Sequence, residues 1–139
     1  MALRSRLANA NRKTARSLLV GDLVALSAFL LVGEISHGFD PVADAGRFVL
    51  VAVPFLLGWT AFGSLAGAYS PGVLDSPRDL LVTTLVGWLL GDVFGQLLRS
   101  TAVLPGNADP AFFAVAFAFG SLFLLAHRGV RLAIRRFRG

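Results

Sequence analysis

An aspartate inside a long apolar stretch is the first residue whose position suggests chemistry. Asp92 lies in the stretch predicted to span residues 79–104. At about 1.5 Å of rise per residue, that places it close to the bilayer midplane. An ionisable side chain at such depth is costly and normally faces a partner, a cavity or an ion pathway. Asp92 therefore has two interpretations: a site that binds a proton or cation during transport, or a hydrogen-bonded tie between helices.

Polar and aromatic residues recur around Asp92 at intervals of three and four. The series is Thr84, Trp88, Asp92, Gln96 and Arg99. This spacing places the side chains on one face of a helix. We therefore predict an inward polar face, with Gln96 and Arg99 on the same pathway as Asp92.

Three further polar residues lie toward the ends of the first apolar stretch. Asp22 either opens a pathway from the cytoplasm or is a carboxylate near a helix N-terminus, paired with Arg16. Glu34 and His37 are three residues apart and so are neighbours on a helix. They either form a titrating pair at the outer mouth or are polar residues at the membrane interface.

Glycine occurs in two rows with four-residue spacing. The rows are Gly87, Gly91 and Gly95 in the third apolar stretch and Gly63 and Gly67 in the second. Such rows allow another helix, from the same chain or from a second copy, to approach closely. Pro54, inside the second stretch, lacks a backbone donor and predicts a helix kink.

The residues that the chain lacks exclude several kinds of catalytic site. There is no cysteine, and the two histidines, His37 and His127, lie in different spans. A disulfide and a cysteine nucleophile are thereby excluded, and a histidine-rich metal centre is not expected. The sequence holds no Walker loop, no H-E-x-x-H and no G-x-S-x-G motif. We therefore expect no enzymatic activity, no bound metal and no cofactor.

The elements that position these residues are membrane-spanning helices. The chain is 55% hydrophobic and 15% charged, with a mean hydropathy of +0.71, and a small soluble domain cannot bury so much apolar surface. Apolar stretches occur over residues 17–37, 47–69, 79–104 and 111–134. Each is close to the length of about 20 residues that a helix needs to cross a bilayer. We predict an all-α integral membrane protein, a four-transmembrane-helix bundle with basic segments at 1–16 and 135–139.

Segments rich in glycine and proline separate the four stretches, as expected for connections between helices. They cover residues 38–41, 70–77 and 105–110. At the end of the second segment, Ser76 precedes Pro77, and this pair predicts an N-cap with proline in the first turn of the third helix.

Basic residues are concentrated at the two ends of the chain. Five of the 13 Lys and Arg residues precede the first stretch, and five more lie from Arg128 onward. The net charge of +5 therefore reflects the positive-inside rule rather than nucleic-acid binding. Four spans with this pattern predict a multi-pass protein of the cytoplasmic membrane. Both termini are expected in the cytoplasm, near anionic lipid headgroups.

Five short segments resemble a known family in their order and spacing. They are GDLVAL at 21–26, GEISHG at 33–38, PFLLGW at 54–59, GAY at 67–69 and HR at 127–128. The chain resembles a family of small archaeal and bacterial membrane proteins, domain-of-unknown-function family 3054. The resemblance implies four spans and an integral membrane location, and it implies no particular activity. It directs attention to Asp22, His37, Pro54 and Trp59.

Two functions are compatible with these residues. The first is a small proton- or ion-linked transporter or channel, with Asp92 as the central site, Asp22 at the cytoplasmic approach and Glu34 with His37 at the outer mouth. The second is a non-catalytic scaffold or accessory subunit that packs through its glycine rows in a larger membrane complex. In either case we expect a homo-oligomer or a membrane-protein partner.

Overall fold

The structure is a computed structural model that describes residues 2–101 and 110–138. In these residues the protein is all-helical. It forms helices α1 (Ala2–Ser36), α2 (Ala45–Ala66), α3 (Pro77–Arg99) and α4 (Pro110–Arg138), with a short 3-10 helix at Val73–Asp75. Each of the four α-helices is long and apolar enough to cross a membrane. No strand occurs in the described ranges. The predicted fold class is confirmed.

The helices differ in length from the apolar stretches that predicted them. Helix α1 begins at Ala2 and so includes most of the basic segment 1–16, and α4 continues to Arg138. Hydropathy identifies only the part of a helix that lies in lipid. A helix can continue beyond that part through a segment that contains no proline. Helix α3 ends at Arg99 instead of residue 104. The predicted turn at 105–110 lies, except for its last residue, outside the described residues.

The start of α3 and the end of α2 have well-defined caps. The hydroxyl of Ser76 accepts a hydrogen bond from the Asp79 backbone N–H at 3.2 Å, and Pro77 follows in the first turn. This predicted N-cap is confirmed. Gly67 has a φ of 96° and lies just beyond α2. Gly67 therefore ends the helix in the left-handed conformation that glycine favours, instead of belonging to a packing row inside it.

The four helices form an up-and-down bundle. Phe29 of α1 lies 6.0 Å from Phe123 of α4 between ring centroids, and the Trp88 indole N–H of α3 donates to the Ala116 carbonyl of α4 at 3.0 Å. Both termini and the α2–α3 connection share one end of the bundle, where Arg135 pairs with Asp75. We call this the terminal end. The α1–α2 connection lies at the other end, called the loop end.

Helices α2 and α3 approach each other closely along the α3 glycines. A β-carbon added to Gly87 would lie 2.7 Å from the α-carbon of Gly63, and one added to Gly91 would lie 3.0 Å from the carbonyl carbon of Gly58. These separations leave no room for a side chain. The helix that faces these α3 glycines is therefore α2 of the same chain.

The outside of the bundle is apolar. Large hydrophobic side chains remain exposed on all four helices, among them Val24, Leu57, Leu81 and Leu122. Contiguous exposed apolar surface of this kind is uncommon on soluble monomers. Together with the length of the helices, it indicates a lipid environment and a multi-pass membrane protein.

Candidate functional site

The terminal end of the bundle contains a fully buried ion pair between α1 and α4. Nη2 of Arg128 lies 2.7 Å from Oδ2 of Asp22, and Nε of Arg128 donates to Oδ1 at 3.0 Å. Both side chains have no solvent exposure. A bidentate guanidinium–carboxylate contact is among the strongest polar contacts available to side chains. The suggested pairing of Asp22 with Arg16 is thus wrong, because Arg16 lies on the exposed side of α1.

Two further side chains complete the surroundings of the Asp22 carboxylate. The hydroxyl of Tyr69 donates to Oδ2, and the indole N–H of Trp59 in turn donates to the Tyr69 oxygen at 2.7 Å. Nδ1 of His127 lies 3.0 Å from Oδ1. Each carboxylate oxygen of Asp22 therefore has two partners.

Arg128 also binds groups outside the ion pair. Its Nη1 donates to the carbonyl oxygen of Ala68 and to the hydroxyl of Thr84, both at 3.2 Å. The guanidinium carbon lies 5.3 Å from the ring centroid of Trp59. The network built on Asp22 and Arg128 therefore connects all four helices, and we call it the terminal network.

Tyr69, just beyond the end of α2, is a neutral donor in this network. Burial raises the pKa of the Tyr69 phenol above its usual range, and the negative charge of the Asp22 carboxylate raises it further. Loss of the phenolic proton would place two negative charges side by side in a buried site. The hydroxyl therefore keeps its proton and its hydrogen bond to Asp22.

The sequence around Asp22 and Arg128 explains this geometry. A β-carbon at Gly21 would overlap the imidazole of His127, so glycine beside Asp22 makes the room that the ring needs. On α4, buried residues recur every four positions and lead to Arg128; they are Ala116, Gly120, Leu124 and Arg128.

Arg128 is the central residue of the terminal network that the sequence did not reveal, since we counted it only among the five basic residues near the C-terminal end. The four-residue repeat on α4 and the HR segment at 127–128 were the available signals.

A second polar cluster lies at the loop end. The carboxylate of Glu34 is buried, and Nε of Arg47 on α2 lies 3.4 Å from its Oε2. The guanidinium carbon of Arg47 lies 3.9 Å from the ring centroid of Phe39. His37 is exposed, so the partner of Glu34 is Arg47 and the suggested pair of Glu34 with His37 is not formed.

Arg99 connects this cluster to α3. Its guanidinium carbon lies 4.5 Å from the ring centroid of Phe112, and it interacts electrostatically with Glu34, Arg47 and Asp92. Four charged side chains from α1, α2 and α3 therefore influence one another at the loop end. We call Glu34, Arg47, Asp92, Gln96 and Arg99 the loop-end cluster.

Asp92 is fully buried, but it does not lie in the middle of its helix. Because α3 ends at Arg99, Asp92 is about two turns, or about 10 Å, from the end of the helix. The amide of Gln96 donates to its Oδ1 at 3.4 Å. Its Oδ2 and the Oε1 of Gln96 have no hydrogen-bond partner within residues 2–101 and 110–138. Two buried acceptor oxygens thus face the same region of the bundle.

The loop-end cluster borders a cavity of about 440 Å³ between the helices. Aromatic and aliphatic side chains of α1 and α4 form most of its apolar wall, and Glu34, Arg47 and Arg99 supply its charged groups. His37 also lines it. Asp92 is not part of the wall and lies deeper in the bundle.

In the described part of the chain, no group of three or more potential metal ligands of the His, Cys, Asp and Glu types comes together.

Comparison with known proteins assigns the chain to a family. The model of the family described as "Protein of unknown function (DUF3054)" matches residues 19–131. The chain belongs to this family. The matched residues include both the terminal network and the loop-end cluster of this DUF3054 protein. No curated protein and no solved structure matches the chain.

Proposed function

We propose that this DUF3054 protein is a small proton- or ion-linked transporter or channel. The observation that carries the proposal is the buried carboxylate of Asp92, which retains an oxygen with no hydrogen-bond partner in the described residues. A buried ionisable group in a membrane-spanning helix is costly, and such residues commonly mark ion or proton pathways.

Comparison of the two buried aspartates supports this role for Asp92. Asp22 has two partners on each carboxylate oxygen, as expected for a residue that holds helices together. Within the described residues, Asp92 accepts one hydrogen bond, at 3.4 Å from the amide of Gln96, besides its electrostatic interaction with Arg99. This difference supports the transport interpretation over the structural tie, because a carboxylate oxygen without a hydrogen-bond partner can accept a proton or a cation.

The arrangement along the bundle suggests a pathway that is open at one end. At the loop end, the cavity leads to Arg99, and Gln96 and Asp92 follow at intervals of three and four residues along α3. Fully buried apolar side chains then separate Asp92 from the terminal network; they are Leu26, Trp88 and Leu124. We propose that this apolar layer and the Asp22–Arg128 pair form the closed side of the transporter.

The scaffold function has less support from the packing. The glycines of α3 that would dock a partner face α2 of the same chain. A homo-oligomer or another membrane partner stays a prediction, and it would have to use a different surface.

Proton or ion flux through purified protein in liposomes tests the proposal. We expect wild-type protein to dissipate an imposed pH gradient faster than protein-free liposomes. Asp92→Asn should lower that rate at least tenfold, because the amide cannot exchange a proton with the pathway. Asp44→Asn is the matched control, since Asp44 is exposed before α2 and its replacement should leave the rate unchanged. Equal rates for wild-type liposomes and empty liposomes would contradict the proposal.

A further inference from the structure

We infer that the cavity at the loop end binds an anionic amphiphile that enters from the lipid. The anionic head would lie at Arg47 and Arg99, and the apolar tail would lie along the wall formed by α1 and α4. As a substrate assignment this rests on the proposed transport function, but binding can be measured without flux.

The cavity has the size and the lining that such a molecule needs. Its volume of about 440 Å³ falls within the range of about 300–1,000 Å³ typical of small-molecule sites. Phe29 and Phe123, with ring centroids 6.0 Å apart, both belong to its wall. Its charged groups, on Glu34, Arg47 and Arg99, interact with one another, and most of the other lining residues are apolar, which is the pattern that an amphiphile matches.

The wall of the cavity continues into the surface that contacts lipid. Val32 on α1 and Val115 and Phe119 on α4 all line the cavity, yet they are 56%, 49% and 51% exposed. Side chains that border both the cavity and the outside indicate an opening between α1 and α4. A molecule already dissolved in the bilayer can therefore reach the cavity without crossing water.

The charges on the lining favour an anion. Two guanidinium groups, of Arg47 and Arg99, face one carboxylate, that of Glu34. Each guanidinium lies over an aromatic ring, Arg47 at 3.9 Å from Phe39 and Arg99 at 4.5 Å from Phe112. A guanidinium commonly stacks on an aromatic face, and its planar fork of N–H donors matches the geometry of carboxylate and phosphate. Such groups bind carboxylate or phosphate through two hydrogen bonds.

A carboxylate and a phosphate head share this chemistry, and the experiment separates them. Full-length protein in a non-ionic detergent would be titrated with oleate, with oleoyl lysophosphatidylglycerol and with uncharged oleyl alcohol. The thermal unfolding midpoint rises with any ligand that binds only the folded protein. We expect at least one anionic amphiphile to raise the midpoint more than oleyl alcohol does, and the stronger one indicates whether a carboxylate or a phosphate is preferred.

Two glycine variants test binding in the cavity without changing any charged residue. Gly33 lines the cavity, and a β-carbon there meets nothing within 4 Å. Gly33→Leu should therefore fold and fill the cavity, weakening binding of the anionic amphiphile at least tenfold. A β-carbon at Gly129 also meets nothing within 4 Å, but Gly129 does not line the cavity. Gly129→Leu should therefore bind the anionic amphiphile as the wild type does. Arg99→Gln should weaken anion binding at least tenfold and leave oleyl alcohol unaffected.

Two results would overturn the inference. One is an equal effect of charged and uncharged amphiphiles on the wild type. The other is unchanged anion binding in Gly33→Leu, which decides the question even if Arg99→Gln fails to fold. Anion binding without any flux would contradict the transport function alone and leave the binding site standing.

Discussion

The two buried aspartates of this protein have very different surroundings. Asp22 and Asp92 both have no solvent exposure, but Asp22 has the full set of partners described above, and one oxygen of Asp92 has none among the described residues. A buried polar group with an unsatisfied acceptor costs free energy, and its presence calls for an explanation. The difference supports a structural role for Asp22 and is the basis of the functional role that we propose for Asp92.

Replacement of Asp22 should destabilise the fold strongly. Asp22→Asn leaves the Arg128 guanidinium buried without its counter-charge, and we expect the free energy of unfolding to fall by about 3–5 kcal/mol. Asp75→Asn is the matched control, because Asp75 pairs at 2.9 Å with Arg135, which lies on α4 like Arg128 but in an exposed position. Its loss should cost less than about 1 kcal/mol. Unfolding of both variants in the same detergent measures the difference, and equal losses would contradict a structural role for Asp22.

The only tyrosine of the chain allows a direct titration of the terminal network. Because the pKa of Tyr69 is raised above the ordinary value of 10.0, the folded protein should show no tyrosinate absorbance at a pH where free tyrosine is half ionised. Asp22→Asn should lower the pKa of Tyr69 without restoring the ordinary value, since burial is the larger cause. An ordinary titration in the folded wild type would contradict the burial of this hydroxyl.

The raised pKa of Tyr69 also predicts how the stability of the folded protein changes at alkaline pH. The folded pKa of Tyr69 lies above the unfolded one, so its contribution to stability is complete below the unfolded value of 10.0. Above that pH the unfolded chain loses its proton first, and the folded protein is progressively destabilised.

Single residues were only partly predictable from the sequence. The inward position of Asp92 follows from helical spacing, and Thr84, Trp88 and Gln96 are buried with it. Arg128 could not be distinguished from the other terminal arginines by counting charges, because the positive-inside rule uses position along the chain and ignores the helix face. Its partner Asp22 is more than 100 residues away in sequence.

At the scale of elements, the glycines of α3 set the distance between α2 and α3. Gly91→Ala would place a β-carbon 3.0 Å from the Gly58 carbonyl carbon and from the Trp59 nitrogen. Both are backbone atoms that can move only with the helix. We expect a loss of about 1–3 kcal/mol, as for other overpacked sites. Gly129→Ala, where a β-carbon meets nothing within 4 Å, should be neutral or stabilising by up to about 1 kcal/mol. Thermal unfolding compares the two, and equal stability would show that the α2–α3 contact tolerates a side chain.

A helix boundary was predictable where a local capping signal marks it. The Ser76-Pro77 pair identified the first turn of α3 because capping is a local interaction. The extension of α1 back to Ala2 was not predicted, because apolar patterning does not detect a helix outside lipid. The kink expected at Pro54, which is buried in the interior of α2, stays a prediction.

For the whole molecule, the concentration of basic residues predicts its orientation. The chain contains no cysteine, so a single introduced thiol can be labelled without interference. A membrane-impermeant maleimide added to intact cells should label Ala43→Cys in the α1–α2 connection and not Ser5→Cys near the N-terminus; both residues are exposed. Labelling of both is expected once the membrane is permeabilised. The reverse pattern in intact cells would contradict cytoplasmic termini.

The architecture of the bundle was predictable, whereas the cavity was not. Hydropathy and length are sufficient for four membrane-spanning helices, because each helix must satisfy its own backbone hydrogen bonds in lipid. The cavity depends on where Glu34, Arg47 and Arg99 meet, and these residues come from three different helices. Their proximity is a consequence of packing that spacing along the chain does not encode.

The central claim, that Asp92 is the protonatable or ion-binding site of a transporter, is tested most directly by the initial rate of gradient-driven flux in liposomes. Wild type should be compared with Asp92→Asn and Asp92→Glu at matched protein content and with matched thermal stability. We predict a rate at least tenfold lower for Asp92→Asn and a partial recovery for Asp92→Glu, because glutamate restores the carboxylate. A folded Asp92→Asn protein with the wild-type rate would contradict the claim.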